Sequence, residues 1–254
     1  MKVFTCADRW EDMAACIYEA WEWALAHGHE NLRLEKEPVV QMSLFDEYAH
    51  VDGDGEKALK VARSIRNKIS YDAYLTVSYA AMYREDMLDD IYRFLRLGFR
   101  MGGAVTSMLA DEHVMRLMEA RRNVGNEIHY FREFARFDQV GDGVLVSHIE
   151  PKNHVVYQVS RHFADRMPSL CWMIVDDRRR VAAVHPADEP TYLADLTREQ
   201  MEILSATERK KDPYNELWKT FFSAIAISQR ENSSCQRNLF PLWMRRHTTE
   251  FRSS

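Results

Sequence analysis

The chain has 254 residues, 46% hydrophobic and 29% charged, with a formal net charge of -5, which is long enough for a sizeable core. No apolar run approaches the roughly 20 residues that cross a bilayer, and the opening MKVFTCADRWEDMAA lacks the basic-then-apolar layout of a secretory signal, so no membrane partner and a cytoplasmic location are expected. Cys6, Cys16, Cys171 and Cys235 form no CxxC pair, which argues against a disulfide framework or a zinc or iron–sulfur site.

In chain order, MKVFTC reads as a short β-like opening. RWEDMAACIYEAWEWALAHG then places Met13, Cys16, Ile17, Ala20 and Trp21 at three- and four-residue steps, a helix closed by Gly28. A turn at Gly53 to Gly55 precedes a second helix with Ala58, Val61, Ala62 and Ile65 on one side. DGDGE there lacks the remaining ligand positions of a calcium loop, so it reads as turn and helix start. From 71 to about 129 the pattern is nearly all helical, with Met87, Leu88, Ile91, Tyr92, Leu95 and Phe99 in one stripe and RMGGAV separating two helices.

The pattern then changes to β. YFREFARF alternates, which predicts a strand with Tyr130, Arg132, Phe134 and Arg136 on one face and Phe131, Glu133, Ala135 and Phe137 on the other. VGDGV supplies a hairpin turn, VLVSHIEP the returning strand, and NHVVYQVSRHFADRM a helix with Asn153 as its cap. LCWMIVDDRRRVAAVHP reads as another hairpin turning at DDRRR, and PYNELWKTFFSAIAISQREN as an amphipathic helix. The expected fold class is α+β: a small antiparallel sheet, built as a ββαββ unit, flanked by N-terminal and C-terminal helices. The expected organisation is a single domain over 1–254, helical over about 1–129, ββαββ over about 130–186, and helical again over about 187–254.

Charge is unevenly spread. Residues 1–60 hold 13 acids against 6 bases, whereas residues 209–254 hold 9 bases against 4 acids. A basic tail can track a phosphate backbone, but charge alone favours a solvated helical face. Catalytic signatures are few. No GxxxxGK[ST], GxGxxG, GxSxG or HExxH occurs, and His148, His154 and His162 lack paired acids at ligand spacing, so no metal site is expected.

Several stretches carry a resemblance: IYEAWE, SLFDEYAHVDGDGEKALKVARSI, IYRFLRLGFRMGG, NEIHYFREFARF, EPKNHVVYQVSRHFADRM and ISQRENSSCQRNLFPLW. In this order they resemble a bacterial family of DNA metabolism and DNA repair proteins whose activity is unknown. The resemblance implies association with a radical SAM protein acting on DNA and, in fused relatives, with a uracil-DNA glycosylase-like domain. The iron–sulfur cluster and S-adenosylmethionine would then belong to the partner, and no cofactor is expected in this chain. The family's motifs fall on Glu127, His129, Phe134, Arg136 and Phe137, on Pro151, His162, Phe163 and Arg166, and on Arg230, Asn232, Phe240 and Pro241, with Trp243 one place early. Glu133 and Tyr130 depart from that pattern.

The expected function is binding of DNA, single-stranded or damaged, or of a DNA-modifying partner. Arg132, Arg136, His162 and Arg166 would form one anion-binding surface, because forked guanidinium groups beside rings suit phosphate pairing and base stacking. Arg230, Arg245 and Arg246 would extend it. One alternative is a hydrolytic enzyme that excises bases or cleaves phosphodiesters, with Glu127 and His129 as its acid–base pair. Another is a non-catalytic adaptor of the radical SAM protein, docking through the acidic N-terminal helix.

Overall fold

The computed structural model describes residues 1–140, 143–206 and 241–248. They fall into two compact units, Met1–Gly125 and Asn126–Ser254. The α+β class read from the sequence is the one observed. No helix among the described residues is long and apolar enough to cross a membrane.

In the first unit, β1 (Lys2–Cys6), α1 (Trp10–His27) and β2 (Leu32–Lys36) make a βαβ crossover, and β3 (Glu47–His50) pairs with the other side of β1. The sheet order is β2-β1-β3 and all its pairings are parallel. The helices α2 (Gly55–Lys68), α3 (Tyr71–Ala81) and α4 (Leu88–Met101) follow, then a 3-10 turn over Gly102–Ser107 at the expected break. Local chemistry sets their starts. The Asp54 carboxylate accepts the backbone N–H groups of Glu56 at 2.8 Å and Lys57 at 3.1 Å, and the Ser70 hydroxyl accepts that of Ala73 at 3.0 Å. The apolar stripes of α1, α2 and α4 meet in one core with Phe4, Leu32 and Leu34.

Helix α5 (Glu112–Phe134) corrects the sequence reading of 130–137 as a strand. Alternation over a few residues is also compatible with a helix, and here the 3.6-residue period persists. Val114, Leu117, Val124, Ile128 and Phe131 are all buried, a stripe that runs to the last turn.

The second unit is a five-stranded sheet in the order β4-β5-β6-β7-β8. Its strands are β4 (Asp138–Val140), β5 (Val144–Ile149), β6 (Trp172–Asp176), β7 (Val181–His185) and β8 (Tyr192–Asp195). The expected ββαββ unit is present, but its sheet is mixed rather than antiparallel. Helix α6 (Val156–Arg166) carries the chain back before β6, so β5 and β6 pair in parallel. Strand β8 lies where a helical region was expected; it adds an exposed antiparallel edge before α7 (Arg198–Ala206).

Alternation in β6 sends Trp172 to the α6 side, where it meets Phe163 at 6.4 Å between ring centroids. Val175 packs on the opposite side with Val146, Ala182, Met201 and Leu204. The expected amphipathic helix over 213–232 lies outside the described residues. Leu242–His247 forms a 3-10 turn.

Candidate functional site

The second unit's polar centre is built around residues 150–155, the connection from β5 to α6. Its backbone is held from two directions. The buried Glu127 carboxylate accepts the N–H groups of Lys152 at 2.7 Å and Asn153 at 2.9 Å, and the Asn153 side-chain amide at 2.6 Å. Arg179 donates to the carbonyls of Pro151 at 3.0 Å and Lys152 at 2.5 Å. Asp176, fully buried, anchors Arg179 at 3.0 Å and accepts the N–H groups of Arg178 and Arg179, closing the DDRRR turn. Asn153 therefore does not cap α6, whose N-cap is Val155; its amide serves Glu127 instead.

This connection borders a pocket lined by Phe131, Phe134, Arg136, His148, Glu150 and Trp243, with room of about 10 Å³, enough for one water. The His148 Nδ1 lies 2.8 Å from an Asp177 carboxylate oxygen. That contact fixes the orientation of the imidazole ring. The Lys152 ammonium stands 5.0 Å from the centre of the Trp243 ring, itself edge-on to Phe131 at 5.8 Å. A guanidinium, an imidazole oriented by a carboxylate, a second carboxylate and aromatic walls are thus collected in one place.

The structure separates the residues expected to do acid–base chemistry. Glu127 and His129 lie two apart on α5, about 200° around the helix. Glu127 is buried against the 150–155 connection, whereas His129 is exposed and paired with Glu133 at 3.2 Å. The anion-binding set divides. Arg132 donates to the Gln158 carbonyl at 3.2 Å, tying the last turn of α5 to α6. Gln158, His162 and Arg166 follow at four-residue steps, one stripe of α6. His162 is half-buried beside Phe163, and Arg132 and Arg166 are exposed. Arg136 is elsewhere, folded back on the carbonyls of Glu133 and Ala135 and lining the pocket. With α5 helical to Phe134, Arg132 and Arg136 do not flank Phe134 on a strand face.

Arg230 lies outside the described residues, as does the Arg246 side chain. Arg245 sits in the 3-10 turn, where its carbonyl accepts the Thr248 N–H and hydroxyl. Among the described residues no cluster of three His, Cys, Asp or Glu side chains is placed to hold a metal ion. Sequence reasoning missed His148, Asp177 and Arg179 as site residues. The signal for His148 was a titratable residue inside the apolar strand VLVSHI, and the signal for the others was the charge density of DDRRR.

No curated protein and no solved structure matches the chain. Residues 85–250 match the model of DUF4130, a domain of unknown function, and the protein belongs to that family.

Proposed function

We propose that the second unit binds the phosphate backbone of nucleic acid, as part of a DNA metabolism or repair protein. The observation that carries this reading is the Arg132–Gln158 hydrogen bond, which sets Arg132 beside the α6 stripe of His162 and Arg166. Two exposed guanidinium groups and an imidazole then line one strip of surface, and among the described residues none of the three meets a carboxylate partner. Guanidinium forks suit phosphate oxygens, and their contacts release counterions, so affinity falls as salt rises. The resemblance to DNA metabolism proteins supports the same reading. It also suggests a radical SAM partner, with which iron–sulfur and S-adenosylmethionine chemistry would enter.

Fluorescence anisotropy with labelled single-stranded, duplex and uracil-containing DNA tests it. The parent binds, and an Arg132→Ala, Arg166→Ala variant binds more weakly, with a log–log salt slope smaller by about 2 on duplex DNA. No binding of the parent to any probe overturns the reading.

A second reading, hydrolysis of DNA, draws on the His148–Asp177 pair beside Glu150 in the pocket. An oriented imidazole near a carboxylate is the minimum equipment for general acid–base work on a phosphodiester or glycosidic bond. Strand cleavage or base release that disappears in His148→Asn, with DNA binding kept, is its test.

A further inference from the structure

We propose that residues 41–45, Gln-Met-Ser-Leu-Phe, form a docking peptide whose Leu44 and Phe45 side chains insert into an apolar groove on a ring-shaped clamp protein that encircles duplex DNA. The inference rests on the reading of the chain as a protein of DNA metabolism, and it lies in the other unit from the proposed DNA surface.

The topology makes the segment conspicuous. Strands β2 and β3 both run parallel to β1, so the chain must return across the sheet between them. Such returns ordinarily pass through a helix that buries its apolar side chains against the sheet. Here residues 37–46 contain no helix, and the apolar side chains stand in solvent: Val40 is 99% exposed, Met42 66%, Leu44 97% and Phe45 92%. One exposed leucine is ordinary, but four large apolar side chains within six residues form a patch of the kind that marks an interaction site.

The backbone beneath them is organised. The Tyr48 hydroxyl accepts the Ser43 N–H at 2.9 Å, the Ser43 hydroxyl accepts the Phe45 N–H at 3.4 Å, and the Ser43 carbonyl accepts the Asp46 N–H at 3.4 Å. A turn centred on Ser43 therefore presents Leu44 and Phe45 side by side, which reduces the ordering cost of binding.

The order of side chains specifies the partner's chemistry. Glutamine offers an amide that both donates and accepts. The aliphatic Met42, the small Ser43 and the Leu44–Phe45 pair ask for a groove with two adjoining apolar pockets and a polar site about one peptide length away. Glu37, Asp46 and Glu47 flank the segment but are already paired, with His50, the N-terminal ammonium and Lys2, so the apolar pockets rather than the charge of the rim set recognition. A sliding clamp, which tethers DNA-acting proteins by short peptides of this Gln-aliphatic-Ser-Leu-Phe form, presents such a groove.

The test is binding of the full chain to a purified bacterial sliding clamp immobilised without DNA. The parent binds with a dissociation constant in the micromolar range, a synthetic peptide of residues 38–47 competes, and Leu44→Ala, Phe45→Ala together weaken binding at least about tenfold. Both side chains are almost wholly exposed, so the variant's melting temperature stays that of the parent. No parent binding at about 100 µM clamp, or a variant that binds equally well, overturns the proposal. Anisotropy on DNA without the clamp is measured in parallel. A parent that binds DNA but not the clamp sinks only the docking peptide, and a parent that binds the clamp but not DNA sinks only the phosphate surface.

Discussion

Glu127 and Asn153 are joined twice, carboxylate to backbone N–H at 2.9 Å and carboxylate to side-chain amide at 2.6 Å. Because the same carboxylate also accepts the Lys152 N–H, replacing Glu127 with alanine leaves three donors without their acceptor in a buried site. The expected destabilisation is about 3 kcal/mol in urea unfolding. Glu127→Gln preserves shape but turns an amide NH₂ toward N–H donors, and it recovers only part of the loss. A variant as stable as the parent would contradict the anchoring role.

His129→Ala should leave both stability and DNA binding where they are. Its ring is exposed and meets the exposed Glu133 and the neighbouring Tyr130 ring, at 6.3 Å between centroids, so the expected change is within about 0.5 kcal/mol. A large loss of any DNA-directed activity in this variant would restore the acid–base role that its position on α5 argues against.

Much of this was legible in the sequence, and the losses have physical causes. The stripes of α1, α2 and α4 are long enough for their period to be unambiguous, and the DDRRR turn falls where apolar β runs stop on either side. YFREFARF was misread because a short window satisfies both a period of two and a period of 3.6; only the upstream residues Val114 to Ile128 settle it. Glu127 was legible as important but not as an anchor, because its partners lie 25 and 26 residues away. The His148–Asp177 pair spans 29 residues and needed the parallel β5–β6 register to bring it together.

Arg179→Lys should behave like Arg179→Ala. One guanidinium fork serves two carbonyls and the Asp176 carboxylate, and a single ammonium on a flexible stem cannot reproduce that geometry. Both variants are expected to lose about 2 kcal/mol in urea unfolding, because the carbonyls of 151–152 and the fully buried Asp176 lose their donor. Full rescue by lysine would show that charge alone matters at this position.

The pair Glu37–His50, at the base of the 37–46 connection, makes a pH-dependent contribution whose sign follows from its bonds. The Glu37 carboxylate and then Asp52 hold the His50 imidazolium, so its pKa is raised above the ordinary 6.5. The Thr5 hydroxyl and then His50 hold the Glu37 carboxylate, so its pKa is lowered below the ordinary 4.5. A raised histidine pKa stabilises fully below 6.5 and loses that contribution as pH rises through the folded-state value. A lowered carboxylate pKa stabilises above 4.5 and loses it as pH falls through its folded-state value. The contribution is therefore greatest between 4.5 and 6.5. Melting temperatures of the parent and Glu37→Gln should differ most near about pH 5.5, and the difference should shrink toward about pH 8.5 to the part that the Thr5 hydroxyl maintains. A difference that stays constant across that range would show that the pair acts through hydrogen bonding independent of charge.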